Sequence, residues 1–221
     1  MNDRDTLDAL LDTYGRTYAD EAGIRLRDTP QPLYQLLVLS LLLSARIRAS
    51  VAVAAAKELF AAGLRGPRQM ADADWQQRVD ALGRGGYRRY DERTATQLGD
   101  GALLLLDTYA GDLRRLRREA DGDADVVRAG VRRLPGLGPA GADIFVREVQ
   151  AVWPETGPFV DAKALRGAER LGLPTSAEAL LRLARGSRGS GGPEPAVLAA
   201  ALVRAALDRR AAESIGLSDG A

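Results

Sequence analysis

The chain has neither cysteine nor histidine among its 221 residues. Without cysteine it forms no disulfide and holds no thiolate zinc site or cysteine-bound iron–sulfur cluster. Without histidine it lacks the usual imidazole base and metal ligand. We therefore expect no cofactor and no metal, and any catalysis must depend on carboxylates, hydroxyls, arginines or lysines.

Long apolar runs are also missing from the sequence. The longest, residues 36–43, is far too short to cross a bilayer, and the charged first residues show no signal-peptide pattern. We expect a cytoplasmic protein that does not contact membranes and is a monomer.

Lysine is scarce. The chain has only Lys57 and Lys163, its other basic residues are arginines, and its net charge is +1. The overall charge therefore argues neither for nor against a nucleic-acid partner. Two local arginine clusters are candidates for phosphate-facing patches, with solvated helix faces as the alternative. They are Arg114, Arg115, Arg117 and Arg118, and the pair Arg132 and Arg133.

Signals for β-strands are weak, whereas apolar residues recur at helical spacing along almost the whole chain. The fold class predicted is all-α. Ser50 and either Asp72 or Asp74 are predicted to cap helices, while residues 83–86 should be a loop, 153–158 a rigid linker and 185–192 a mobile segment. Helices are predicted over residues 6–18, 31–44, 50–60, from 72 or 74 to 82, 87–109, 126–134, 139–152, from about 161, 176–183 and from 193 to about 212.

The segment from Leu134 to Asp143 has the sequence of a tight turn between two helices. Gly136 and Gly138 permit a positive φ and leave the backbone N–H groups unobstructed, while the next helix directs its partial positive charge the same way. Such a turn is suited to a DNA phosphate. An ordinary hairpin between two helices can also use a glycine turn.

Three segments, in order, resemble motifs of the helix-hairpin-helix DNA glycosylases, the superfamily that includes endonuclease III. Residues 37–46 (LVLSLLLSAR) are similar to the buried helix that ends in LLSAQ. Residues 134–142 resemble LPGVGRKTA, and residues 160–173 (VDAKALRGAERLGL) resemble the segment that begins VDTHV. The resemblance covers about residues 32–173.

This resemblance implies a six-helix barrel lobe with the hairpin at residues 29–150. It implies a second helical lobe from residues 1–28 and 151–221, with double-stranded DNA in the cleft between the lobes. A DNA partner would make the protein nucleoid-associated. It further implies DNA contacts from Leu134, Gly136, Leu137, Gly138 and Ala140.

Asp161 matches the carboxylate of the family's third motif. Cleavage of a glycosidic bond develops oxocarbenium character on the sugar, which a fixed carboxylate nearby stabilises while it orients or activates water. The alternative is that Asp161 is only a helix N-cap.

Two departures from the family pattern bear on the chemistry. Ala140 stands where bifunctional members carry the Schiff-base lysine, so covalent lyase chemistry by that route is not expected. Lys163 is a conceivable substitute amine, but a DNA phosphate contact or a surface role is the preferred interpretation. The C-terminal four-cysteine cluster loop is missing, and packing of the last helix must replace it.

A flipped base leaves a gap in the duplex that such proteins fill with side chains from barrel loops. Arg46 and the segment 85–90, which includes Arg88, are the candidates. The alternative for the segment is a polar loop, or a core position for Tyr87 and Tyr90, which we prefer for Tyr90.

Three hypotheses for function follow. The first is a monofunctional DNA glycosylase that hydrolyses the N-glycosidic bond of a flipped damaged or mismatched base with Asp161. The second is a catalytically inactive binder of abasic or distorted DNA. A third, a helical protein–protein module, explains the composition but not the ordered motifs.

Overall fold

A computed structural model of the chain describes residues 2–186 and 192–216. These residues form α-helices and one 3₁₀ helix, Pro154–Thr156, and none of them forms a β-strand, so the all-α prediction is confirmed. The α-helices in chain order are α1 (Asp3–Tyr14), α2 (Tyr18–Glu21), α3 (Pro30–Ser44), α4 (Ala49–Ala61), α5 (Pro67–Asp72), α6 (Trp75–Arg84), α7 (Asp91–Tyr109), α8 (Arg114–Ala120), α9 (Ala124–Arg132), α10 (Pro139–Val149), α11 (Ala162–Arg170), α12 (Ala177–Arg185), α13 (Pro195–Leu207) and α14 (Ala211–Ser214).

Several predicted helix boundaries were wrong. Ser50 lies inside α4 and does not cap it. Helix α6 continues through Gly83 to Arg84, so the predicted loop is shorter. Helix α7 begins at Asp91 rather than residue 87, because the chain is non-helical from Tyr87 to Tyr90. The last long helix begins at Pro195, and most of the segment predicted to be mobile, 187–191, lies outside the described residues.

The chain forms two compact units. One runs from Tyr18 to Thr156, and the other combines the described residues before Tyr18 with those after Thr156. The lobe boundaries that the resemblance implies, at residues 29 and 150, stay a prediction. No helix in the described ranges is long and apolar enough to cross a membrane.

In the unit 18–156, α3 is the central helix, as its apolar sequence predicts. Its side chains are buried on several faces, and it packs against α4 and α10. Pro30 begins the helix at a position where the missing N–H costs nothing. The buried Glu148 of α10 accepts hydrogen bonds from the backbone N–H groups of Tyr18 and Ala19, and so caps the short α2.

The same unit contains a buried arginine, Arg78, whose guanidinium hydrogen-bonds to backbone carbonyls. The Arg78 Nε donates to the backbone carbonyl of Ala95 in α7, and one terminal nitrogen donates to the carbonyls of Met70 and Ala73 at the end of α5. Gly99 makes room for it, because a Cβ there would lie 2.8 Å from a guanidinium nitrogen. The glycine that weakens α7 as a helix former is therefore needed for packing.

The other unit depends on very close packing of α11 against α13. A Cβ added to Gly167 would lie 1.9 Å from the carbonyl oxygen of Leu202, so only glycine permits this backbone approach. Alanines fill the rest of the contact, with Ala164 and Ala168 fully buried on α11. The Tyr14 hydroxyl also donates to Asp208, which joins α1 to the end of α13.

Candidate nucleic-acid interface

A hairpin turn joins α9 to α10 in the unit 18–156. The N–H of Leu137 donates to the carbonyl of Leu134, which closes the turn, and Gly136 has a φ of +84°. That left-handed conformation favours glycine. The sequence prediction of a glycine turn between two helices at this position is confirmed.

The two leucines of the turn point inwards. The side chains of Leu134 and Leu137 are each only 4% exposed, whereas Gly136, Gly138 and Ala140 are exposed. The leucines therefore anchor the turn in the core, and a ligand would reach them only through their backbone atoms. The interface that the hairpin offers consists of backbone and small residues.

Helix α10 begins at the turn with an open N-terminus. Gly138 is its N-cap, and within the described chain no side chain caps the helix there. The N–H groups of Ala140 and Gly141 lie in the first turn, where an α-helix has no intrahelical acceptors. Gly138 itself has a φ of −82°, so of the two glycines only Gly136 adopts the positive φ that both permit.

Neighbouring side chains pack closely against the turn. A Cβ at Gly136 would lie 2.8 Å from Oε1 of Gln97, and a Cβ at Gly141 would lie 2.7 Å from Leu137. The Gly141 position also contacts Ser44, the last residue of α3. The ends of the two motifs, LLSAR and the hairpin, are thus adjacent, and Arg46 is exposed two residues further on.

An ion pair joins the two helices of the hairpin. The Arg128 guanidinium donates to Asp143 at 2.7 Å and also pairs with Asp125. These bonds raise the pKa of Arg128, with the hydrogen bond to Asp125 as the largest cause. The ion pair between Arg128 and Asp143 was not predicted from the sequence, although both residues lie in helices that the sequence predicts.

The two arginine clusters behave differently. Arg114 forms a bidentate pair with Asp112, and Arg117 pairs with Glu155 and Asp28. These carboxylates neutralise much of the first cluster, so its interpretation as a phosphate-facing patch loses support. The second cluster, Arg132 and Arg133, is exposed and directly precedes the hairpin.

The candidate wedge segment is a loop after α6. Arg88 is exposed in it, while Tyr87 is buried and its hydroxyl accepts a hydrogen bond from Thr94. Tyr90 is only partly buried, so our preference for Tyr90 in the core was wrong and Tyr87 takes that position. The reason is that the loop turns before α7 begins, which breaks the helical spacing assumed for the two tyrosines.

Asp161 lies in the other unit, at the N-terminus of α11. Its side chain is 7% exposed, and Oδ1 accepts a hydrogen bond from the N–H of Ala164. Asp161 is therefore an N-cap, and the bond fixes the orientation of the carboxylate. Lys163 is partly exposed in the first turn of the same helix.

The structure brings the hairpin residues and the end of α3 together in one unit, and Asp161 and Lys163 together in the other. The roles of these residues towards DNA stay predictions. In the described part of the chain, no group of three or more acidic side chains gathers as a metal site.

No protein-family model matches the sequence, and no curated protein matches it. Among solved structures, the chain is similar to endonuclease III in a trapped covalent intermediate with DNA, an estranged-adenine complex. The TM-score is 0.46 and the sequence identity 19%, over 76% of this chain and 70% of that one.

Proposed function

We propose that the protein is a monofunctional DNA glycosylase that removes a flipped, damaged or mismatched base by hydrolysis. The observation that carries the proposal is the hairpin, which presents an uncapped helix N-terminus and exposed glycines beside the end of α3. The partial positive charge and free amides of such a turn suit a phosphate of the DNA backbone. The exposed Arg132 and Arg133 add positive charge next to it.

In the proposed reaction, Asp161 acts on the sugar of the flipped nucleotide. As the C1′–N bond breaks, positive charge develops on the sugar, and the carboxylate stabilises it and orients water. Water then adds its oxygen to C1′, and the base leaves with a proton. The cap bond from Ala164 holds the carboxylate in one orientation, so that it need not be ordered during the reaction.

A second candidate, a catalytically inactive binder of abasic or distorted DNA, is favoured by one observation. Asp161 already performs a complete structural task as the N-cap of α11, and its side chain is almost buried. An N-cap aspartate needs no catalytic role to be explained. The two candidates share the DNA partner and differ only in base release.

The test is a panel of duplexes, each with one oxidised, alkylated, deaminated or mismatched base. Glycosylase activity predicts base release from at least one, with heat or alkali converting the abasic site to a strand break. Binding should weaken steeply with salt, because phosphate contacts release counterions. Tight binding to abasic duplex without any base release would favour the inactive binder, and salt-insensitive or absent binding would contradict both candidates.

A further inference from the structure

A groove in the unit 18–156 carries positive charge that the proposed glycosylase reaction does not use. It has a volume of about 420 Å³ and lies between the first turn of α3, the second half of α4 and the chain that follows α2. Its charged lining residues are all basic, namely Arg25, Lys57 and Arg65. This cationic groove is defined by these three side chains with Gln31 and Gln35.

The charges of the groove are not neutralised by the protein. Within the described ranges, no carboxylate lines the groove, and neither Arg25 nor Lys57 has an ion-pair partner. This differs from Arg114 and Arg117, which pair with carboxylates. Three like charges around one concavity focus a positive potential, which favours an anionic ligand.

Other features of the groove also favour an oxyanion. Gln31 and Gln35 lie one helical turn apart on α3 and supply amide N–H donors from the same side. The Arg65 Nε donates to the carbonyl of Phe60 at 2.8 Å, which orients that guanidinium.

The groove is distinct from the hairpin. Helix α3 has 15 residues and is therefore about 22 Å long. The hairpin contacts Ser44 at its C-terminal end, whereas Gln31 and Gln35 belong to its first turns. A ligand of the groove would thus lie at the opposite end of α3.

We infer that the cationic groove binds phosphate groups. Guanidinium and ammonium groups with amide donors are the combination that recognises phosphate oxygens, and a volume of about 420 Å³ accommodates a ligand with two phosphates. The phosphates can belong to a free phosphorylated molecule or to a nucleic-acid backbone. The inference does not depend on glycosylase activity.

The experiment measures binding of inorganic pyrophosphate by titration calorimetry. The double variant Arg25→Gln/Lys57→Gln removes two exposed charges and should weaken binding by about tenfold or more. Arg93→Gln, which removes one exposed charge on α7, should leave it unchanged. Gly138→Val, which alters the hairpin, should leave unchanged the part of the binding that depends on Arg25 and Lys57.

The result that would overturn the inference is equal affinity of the wild type and the double variant, or no binding by the wild type. Loss of binding in Gly138→Val alone would assign the anion to the hairpin instead. Binding of a hexaglutamate peptide, in place of pyrophosphate, would identify the groove as a site for acidic protein segments and also overturn it. A parallel titration with undamaged duplex distinguishes the sources: weaker duplex binding by the double variant indicates backbone phosphates, and unchanged binding indicates a free ligand.

Discussion

At the scale of single residues, Asp161 combines two properties that an electrostatic catalyst needs. Its carboxylate is fixed by the cap bond to Ala164, and it is largely removed from water. A fixed charge in a poorly solvated position stabilises a developing cation more than a mobile one in water. The same bond explains why the residue also contributes to helix α11.

Ala140 and Lys163 are the two residues that bear on whether the protein forms a covalent lyase intermediate. Ala140 is an exposed residue of the first turn of α10 and has no nucleophile. Lys163 carries the nearest amine to Asp161 in the sequence. We predict that borohydride will trap no covalent complex with abasic DNA, because an imine requires a lysine at the reacting sugar. Efficient trapping that disappears in Lys163→Ala would show that Lys163 is a Schiff-base residue.

Sequence reasoning at the residue scale succeeded where the signal was local. The glycine turn at Gly136 and the start of a helix near Asp161 depend on backbone geometry over a few residues, which their residue types report directly. It failed for Arg117, whose partners Asp28 and Glu155 are distant in the sequence. The prediction that Tyr90 is buried failed for a related reason, since its burial depended on where helix α7 begins.

At the scale of secondary-structure elements, the open turn before α10 is the feature most sensitive to substitution. We predict that Gly138→Val will weaken binding to duplex DNA about tenfold, because its side chain obstructs the backbone amides. The fold should persist, since a Cβ at Gly138 meets no atom within 4 Å and φ is −82°.

Thermal unfolding verifies that the Gly138→Val fold is intact. Gly83→Val is a matched control, because Gly83 also has open space but lies on α6. DNA affinity that is unchanged in Gly138→Val would remove the hairpin from the interface.

The packing of α11 against α13 predicts a strong effect at Gly167. Gly167→Ala should lower the free energy of unfolding by about 2 kcal/mol, because its methyl group overlaps the Leu202 carbonyl and the helices must separate. Gly83→Ala should not destabilise, since that helical glycine has open space. Chemical denaturation measures both, and a neutral Gly167→Ala would refute the close approach of the two helices.

The network of Arg117 predicts a dependence of stability on pH. The hydrogen bond from Arg117 lowers the pKa of Glu155 below its ordinary value of 4.5. A lowered folded-state pKa means that this stabilisation is present above about pH 4.5 and is lost as the pH falls through the lowered value. The pair is partly exposed, so it contributes only about 0.5 kcal/mol.

Glu155→Gln should therefore reduce stability at neutral pH, and its difference from wild type should vanish in acid. Denaturation curves between neutral and acidic pH measure this. A difference that stays constant or grows in acid would show that Glu155 is not held by Arg117.

At the scale of the whole molecule, the all-α class and the turn between two helices could be predicted from the sequence. Apolar periodicity and glycine turns are properties of short stretches of the chain. Short helices such as α2 could not, since α2 is capped by the distant Glu148. The cationic groove was equally invisible, because Arg25, Lys57 and Arg65 come together only when α3 and α4 pack.

In the proposed reaction, Asp161 supplies the chemistry of base release. Single-turnover base release and duplex binding should be measured for the wild type, Asp161→Asn and Asp123→Asn. Asp123 caps α9 in the same manner and serves as the matched control. Asparagine caps helices about as well as aspartate, so both variants should remain folded.

Asp161→Asn should lose base release while its affinity for DNA stays equal or rises. Removing the negative charge withdraws support from the cationic sugar in the transition state and lessens repulsion of phosphates in the ground state. Asp123→Asn should act as the wild type. Base release by Asp161→Asn at the wild-type rate would show that the Asp161 carboxylate does not take part in the reaction.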